Sequence, residues 1–312
     1  MREKILYKKI QVGIALLIVS LSLIAYGNGQ NDDKGTIRMS EGKEETTQSE
    51  ESLKLAKAEL AEFVQSDGPD TIVIEDFTYY KIGKMYEPGE YVLVPSEGDL
   101  VSYSIIMDDE AYTPLLSDNT KGYTVFNTLE GQYISISGGE IYPIDKAPKI
   151  KKTADGAYPE GLYKAGVQIP AGEYVGRGDY PSLTTYAGLS DNDLPIGYCS
   201  NTRSAIITVD EGEYIKATWG DIYPLESTAD LRPIDGIYKE GTYKVGFHMP
   251  AGTYQLKATT GRAYVDIYND GYMLGRGDEF VVADPETYFT VRNGQFVMIV
   301  GGEAATQYEF VN

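Results

Sequence analysis

The chain has 312 residues, of which 42% are hydrophobic and 12% aromatic, too apolar a composition for a wholly disordered protein. Its formal net charge of −20 argues against a nucleic-acid partner, because a phosphate-binding surface needs clustered Lys and Arg. The 27 Tyr and 34 Gly favour strands and tight turns, whereas a single His and a single Cys leave little material for metal or thiol chemistry. We therefore predict a β-rich protein without a cofactor or a bound metal.

The N-terminus has the pattern of an export signal. Basic residues between positions 2 and 9 precede an apolar run over 12–25, and small residues then flank Tyr26. This order predicts a signal peptide over 1–27, cut before Asn28, and a location outside the cell or at its surface. An uncleaved membrane anchor is the alternative. Either way, we expect membrane contact only through this segment.

The segment Leu23-Ile24-Ala25-Tyr26-Gly27-Asn28 resembles the signal of a bacterial lipoprotein. In such signals a Cys follows the Ala and receives the lipid through a thioether bond. Tyr26 stands at that position here, so lipid anchoring is not expected. Loss of anchoring from a lipoprotein ancestor and an ordinary signal peptide both remain open as explanations.

Residues 28–70 form a predicted tether. Positions 28–48 are polar with almost no aliphatic residues, which is typical of a flexible linker. Leu53, Ala56, Leu60 and Val64 then follow the helical period, so a short helix is predicted over 49–64.

Beyond the tether, one block of sequence occurs three times, and in every copy eleven positions separate its two main Tyr residues. A less well matched first copy runs from Tyr80 to Tyr91. In the other two copies the shared residues are Tyr163, Gly166, Pro170, Gly172 and Tyr174, and Tyr243, Gly246, Pro250, Gly252 and Tyr254. We interpret these residues as structural, with the Pro-Ala-Gly segment as a tight turn that leads into a strand.

A second block closes each copy with Gly-x-aromatic, at Tyr133, Tyr214 and Phe296. Two separated blocks in the same order indicate three duplicated units, which we place at 71–148, 149–228 and 229–312. Each unit contains about seven short runs rich in β-branched and aromatic residues. The predicted fold is all-β, with three tandem antiparallel β-sandwich or jelly-roll-like domains.

The motif Tyr-Lys-x-Gly-x-x-x-Pro-Ala-Gly-x-Tyr resembles a tandem β-repeat of secreted proteins and predicted lipoproteins of Gram-positive bacteria. The resemblance covers about residues 74–312 and is closest over Tyr243–Tyr254. It implies an exported location and a repeat architecture. It implies no activity and no functional residues.

Enzyme signatures are absent from the sequence, so we predict a non-enzymatic protein. His248 lies inside the repeated motif, where the other copies have Gln168 and Met85. A residue that its copies lack is expected to be a variable surface position rather than a general base. Cys199 is expected to be a bystander thiol.

Two Arg-Gly-Asp tripeptides are candidate adhesion loops, since integrins read this sequence on loop tips. They are Arg177, Gly178 and Asp179, and Arg276, Gly277 and Asp278. Glycine-rich charged tripeptides also make ordinary turns, which need no partner.

The sequence as a whole predicts an exported, monomeric binding or interaction protein whose extracellular ligand is a protein or a glycan. The alternatives are an Arg-Gly-Asp-dependent adhesin, a carbohydrate-binding protein and a structural spacer. Sugar rings stack on exposed aromatic side chains, which favours the second, whereas the presence of only one Trp speaks against it.

Overall fold

The computed structural model describes residues 69–96, 100–107, 116–190, 193–200, 202–233 and 235–306. All of them belong to one compact unit of the chain. They form twenty β-strands, and the only helices among them are three 3-10 turns of three residues each. The predicted signal segment and short helix, and the predicted linker up to residue 68, lie outside the described residues. Within the described ranges, no helix has the length and apolar character needed to cross a membrane.

Corresponding strands follow one another in the same order in the three repeats. The numbers differ because the first repeat has an additional strand at its start, and because two long strands of the second repeat each correspond to two strands of the third. The first repeat contains β1 (Thr71–Ile74), β2 (Phe77–Lys81), β3 (Gly89–Pro95), β4 (Val101–Ile106), β5 (Leu116–Thr120), β6 (Thr124–Thr128), β7 (Tyr133–Ser137) and β8 (Gly139–Pro143). The second contains β9 (Gly161–Lys164), β10 (Gly172–Tyr186), β11 (Pro195–Cys199), β12 (Ser204–Val209) and β13 (Tyr214–Pro224). The third contains β14 (Gly241–Lys244), β15 (Gly252–Ala258), β16 (Ala263–Tyr268), β17 (Glu279–Ala283), β18 (Glu286–Val291), β19 (Phe296–Val300) and β20 (Gly302–Ala305). The 3-10 turns are Ile144–Lys146, Leu225–Ser227 and Ala229–Leu231.

Each repeat pairs its strands into two antiparallel groups. In the third repeat, β14-β19-β16-β17 form one sheet and β18-β15-β20 the other, and side chains from both fill the core between them. The first repeat has the equivalent groups β2-β7-β4-β5, extended by β1, and β6-β3-β8. In the second repeat, β10 and β13 are long enough to run through both groups and bend between them. The prediction of an all-β fold with antiparallel, sandwich-like sheets is confirmed.

Tyrosines of the repeated motif stabilise each unit through a buried ring and a hydrogen bond to a nearby carbonyl. Tyr163 and Tyr174 are buried, and each hydroxyl donates to the carbonyl four residues earlier, at 2.6 and 2.7 Å. Tyr243 and Tyr254 repeat the arrangement at 2.8 Å, and Tyr91 does so in the first repeat at 2.6 Å. The ring fills the core while the hydroxyl satisfies a turn carbonyl, which explains the fixed positions of Tyr.

The glycine between the two Tyr residues closes a turn in the left-handed region. Gly166 has φ +80° and Gly246 φ +91°, and the N–H of each donates to the carbonyl of Ile169 or Met249. Only glycine adopts such a φ without steric cost, so this position of the motif cannot carry a side chain freely.

The predicted boundaries between the units are crossed by hydrogen bonds and by packing. The N–H of Leu162 in β9 donates to the carbonyl of Tyr123 at 2.8 Å, so β6 and β9 join strands of two repeats into one eight-stranded sheet. Val92 and Val125 of the first repeat share a hydrophobic core with the second repeat, and so does Phe296 of the third. The repeats therefore share a β-sheet and hydrophobic core residues, and are not separate domains joined only by linkers.

A Lys–Glu ion pair recurs at both junctions. Lys164 Nζ lies 2.6 Å from Glu90 of the preceding repeat, and Lys244 Nζ lies 2.5 Å from Glu173 of its preceding repeat. Burial opposes the charge on Lys164, but hydrogen bonds to Glu90 and to the Tyr214 hydroxyl raise its pKa overall. The third repeat carries Thr253 where the first two carry Glu90 and Glu173.

Candidate functional site

The first Arg-Gly-Asp tripeptide lies inside strand β10 rather than on a loop tip. Both terminal nitrogens of Arg177 donate to the Asp230 carboxylate, at 2.9 and 2.6 Å, and the guanidinium lies 4.9 Å from the centroid of the Tyr223 ring. The hydrogen bond from Arg177 lowers the pKa of Asp230. Gly178 and Asp179 are exposed. The cation of this tripeptide is therefore already paired within the protein.

The second tripeptide lies in the connection between β16 and β17. Arg276 covers the Phe280 ring at 4.0 Å from its centroid, the Gly277 N–H donates to Asp266 at 3.0 Å, and Asp278 accepts from the Asn269 N–H at 2.7 Å. These contacts are those of an ordered turn. The structure does not bring the two tripeptides into one site.

The single His and the single Cys are buried at the junction of the second and third repeats. The prediction that His248 is a variable surface position is wrong, because its side chain is 1% exposed. Its ring is held between the Thr228 hydroxyl, at 3.0 Å, and the Lys244 N–H, at 3.2 Å. Cys199 packs against Thr242 with its Sγ 3.6 Å from the hydroxyl, and burial raises the pKa of the thiol. In the described part of the chain, no group of His, Cys, Asp and Glu is placed to hold a metal ion.

A depression with a volume of about 590 Å³ lies on the outer face of the β1-β2-β7-β4-β5 sheet. Its floor consists of polar side chains in two rows that cross neighbouring strands. One row is Ser135, Ser104 and Ser117, and the other is Ser137, Ser102 and Asn119. We call these six residues the serine face. The rings of Phe77 and Tyr79 lie along one side of the depression, and the Tyr79 hydroxyl donates to Ser104 at 3.2 Å.

The serine face leads into a second depression at the junction of the first and second repeats. This groove has a volume of about 180 Å³ and shares Asp118 and Asn119 with the first depression. We call it the first junction groove. Its lining is Asp118, Asn119, Thr120, Glu160, Gly161, Lys216, Ala217, Thr218 and Trp219.

Asp118 and Lys216 join the two repeats at the centre of this region. Lys216 Nζ lies 3.0 Å from the Asp118 carboxylate, and both side chains are partly exposed. Glu160 is positioned through its backbone N–H, which donates to Asp221 at 3.0 Å. Burial raises the pKa of Asp221, against the effect of this hydrogen bond.

Trp219 ends the groove in an unusual conformation. Its side chain is 73% exposed, and its backbone φ is +65°, in the left-handed region that bulky side chains avoid. The equivalent positions in the other repeats are Gly138 and Gly301, with φ +82° and +71°. A turn that the other copies make with glycine therefore holds the chain's only Trp at the surface, at a cost of about 1 kcal/mol. Strain of this kind is a reason to suspect a function.

Together the serine face and the first junction groove form a polar trough with aromatic rings at both ends. Hydroxyl groups donate and accept hydrogen bonds, the Asp118 and Glu160 carboxylates accept, and the Lys216 ammonium donates. This combination suits a ligand that carries many hydroxyls and has apolar ring faces.

Comparison with known proteins adds no family: no protein-family model matches the chain, and no curated protein is detectably similar to it. The resemblance to exported β-repeats therefore stays a prediction.

The residues of this trough are not among the site residues predicted from the sequence. The signals were present: alternating polar residues at 102, 104, 135 and 137 predict a solvated strand face, and alignment of the copies sets Trp219 against two glycines.

Proposed function

We propose that the protein is an exported, non-enzymatic binding protein whose ligand is a neutral polysaccharide, bound along the serine face and the first junction groove. The observation that carries the proposal is Trp219, an exposed ring held in a strained conformation beside carboxylate, amide and ammonium groups. The export part of the proposal rests on the N-terminal sequence, and the ligand part on this geometry.

A sugar ring has an apolar face and polar hydroxyl groups, and the trough offers partners for both. The C–H face of the ring is apolar and stacks on an aromatic side chain, as Trp219 and Phe77 allow at the two ends. The hydroxyls around the ring take part in hydrogen bonds in both directions, which the serines and Asn119 between the two ends offer.

Charge favours a neutral polymer over an anionic one. The whole chain has a formal net charge of −20, so its field repels polyanions such as uronic-acid or phosphate polymers. Within the groove, Lys216 is paired with Asp118, which leaves no uncompensated cation there to attract an anion. Adhesion through Arg-Gly-Asp is less well supported, because Arg177 is paired with Asp230.

Trp219 is itself the reporter for the test, because it is the only Trp in the chain. The full-length protein is titrated with dextran, laminarin, xylan and galactomannan, with polygalacturonate as the charged comparison. We expect at least one neutral polymer to shift Trp219 emission to shorter wavelength and to protect it from acrylamide, because stacking removes water from the ring.

The matched variant is Trp219→Gly, which installs the residue of the other two repeats and relieves the left-handed strain. We expect it to remain folded and to lose affinity by up to about tenfold in calorimetric titration, since an aromatic stack contributes about 0.5–1.5 kcal/mol and about 1.4 kcal/mol is tenfold. Tyr288→Ala, which removes a half-exposed ring from β18 in the third repeat, is the control and should bind normally. Unchanged emission with every polymer, or full affinity in Trp219→Gly, would contradict the proposal.

A further inference from the structure

A second groove lies at the junction of the second and third repeats. It has a volume of about 410 Å³, and the residues that carry the argument are Tyr180, Arg203, Lys239, Glu240, Thr259 and Glu303. We call it the second junction groove. Like the first junction groove, it is lined by residues of two successive repeats.

One equivalent residue lines both grooves. Glu160 immediately precedes strand β9 in the first groove, and Glu240 immediately precedes the equivalent strand β14 in the second. Each of these residues also meets the bend of its own repeat: the Glu160 N–H donates to Asp221, and the Glu240 carboxylate accepts from the Gly301 N–H at 3.1 Å. Each groove therefore includes the residue that immediately precedes the first strand of a repeat.

One corner of the second repeat supplies the exposed ring of both grooves. Gly178 of β10 and Gly220 of β13 are register partners where the two strands bend, and a Cβ on Gly178 would lie 2.1 Å from the Trp219 carbonyl oxygen. Trp219 precedes this glycine pair on one strand, and Tyr180 follows it on the other. Tyr180 is 55% exposed and has φ +59°, so it too is a bulky residue in the left-handed region.

The second groove has donors and acceptors in balance. Arg203 and Lys239 are exposed and make no ion pair with any described residue, while Glu240 and Glu303 supply carboxylate oxygens. Two cations and two carboxylates give the groove no net charge, which suits hydroxyl groups better than an ion.

We infer that the two junction grooves are consecutive parts of one extended site, and that the ligand is a polysaccharide chain long enough to pass from Trp219 across the corner to Tyr180. The inference rests on the proposed function and deepens it, because it makes the ligand a long polymer rather than a short oligosaccharide or a chain end. A ligand that reaches both grooves gains from two linked contacts at once.

The experiment measures affinity against ligand length with the full-length protein. The probes are cello-, laminari-, malto- and manno-oligosaccharides from disaccharide to octasaccharide, followed through Trp219 emission. In the series that binds, we expect affinity to rise by roughly a hundredfold in a step, at the length that first reaches the second groove.

Tyr180→Gly is the informative variant, because it removes the ring and relieves the left-handed φ, so it is not expected to unfold the protein. We expect it to bind disaccharides like the wild type and to lose the step with the longest oligosaccharides, about tenfold or more. Tyr288→Ala should keep the step. Thermal unfolding of each variant verifies that it is folded.

Each outcome decides a different question. If Trp219 emission responds to saccharides but affinity does not rise with length, or Tyr180→Gly keeps the step, the extended site is wrong and the proposed function stands. If no saccharide alters the emission, the proposed function fails, and the extended site fails with it.

Discussion

His248 and Gln168 occupy the same motif position in consecutive repeats and make the same hydrogen bond. The Gln168 side-chain oxygen accepts from the Lys164 N–H at 2.9 Å, and His248 Nδ1 accepts from the Lys244 N–H at 3.2 Å. An acceptor at Nδ1 places the ring proton on Nε2, which donates to the Thr228 hydroxyl. Protonation of Nδ1 would turn this acceptor into a second donor that faces an N–H.

The environment of His248 disfavours its charged form. Burial is the main cause and lowers its pKa to about 4, from an ordinary value of 6.5. The cations of Arg232 and Arg177 act in the same direction, whereas Thr228 and Asp230 act against them. Because the unfolded chain binds this proton more readily, the contribution to stability is complete above pH 6.5 and is lost as the pH falls towards 4.

His248→Gln should remove this pH dependence while keeping the hydrogen bond to Lys244, as Gln168 does in the second repeat. We expect the wild type to lose about 2 kcal/mol more unfolding free energy than the variant when the pH falls from 6.5 to 4. Urea unfolding at several pH values measures the difference, in which the shared effect of carboxylate protonation cancels. Parallel pH profiles for the two proteins would show that His248 does not titrate in this way.

At the scale of strands, contacts between repeats explain why one position of the repeated motif is Glu in two copies and Thr in the third. Glu90 and Glu173 each pair with the motif Lys of the next repeat, and the last copy has Thr253 instead. The aromatic residue of the second block completes the contact: Lys244 lies 3.9 Å from the Phe296 centroid and Lys164 lies 5.2 Å from that of Tyr214. Each junction thus holds a partly buried cation between a carboxylate and a ring.

Glu173→Thr tests this arrangement by giving the second repeat the residue of the third. We expect a loss of about 1–2 kcal/mol of unfolding free energy, because Lys244 keeps its ring but loses its carboxylate. Glu90→Thr should cost more, since Glu90 also accepts from the Tyr214 hydroxyl. Thermal unfolding measures both. Thr253→Glu is the control, because the Thr253 side chain contacts the Thr290 hydroxyl rather than a Lys. A gain from it, or no loss from Glu173→Thr, would contradict the role of the pair.

At the scale of the whole molecule, alignment of the copies predicts the units but not how the units dock. The Tyr and Gly of the motif repeat because they build each unit, so the sequence was sufficient to predict an all-β fold. The Asp118–Lys216 pair and Trp219 have no counterparts in the other copies of the motif. The groove that these residues line forms only where two repeats dock. A pairing between residues 98 positions apart leaves no local pattern, so the sequence does not predict that the serine face and Trp219 lie in one trough.

The same docking predicts that the first two repeats lose their structure together. Val125 of β6 is fully buried in the core cluster that extends into the second repeat, whereas Val265 of β16 is fully buried in the separate cluster of the third repeat. Val125→Ala removes two methyl groups from the shared core, which should cost about 2 kcal/mol. Val265→Ala makes the same chemical change in the other cluster.

Hydrogen exchange of backbone amides distinguishes the two. In Val125→Ala we expect protection to fall by the same factor in β3 and β6 as in β10 and β13, because one sheet and one core join these strands across the boundary. In Val265→Ala the loss should be largest in β15, β16 and β19. A loss confined to the first repeat in Val125→Ala would mean that the eight-stranded sheet is not a cooperative unit.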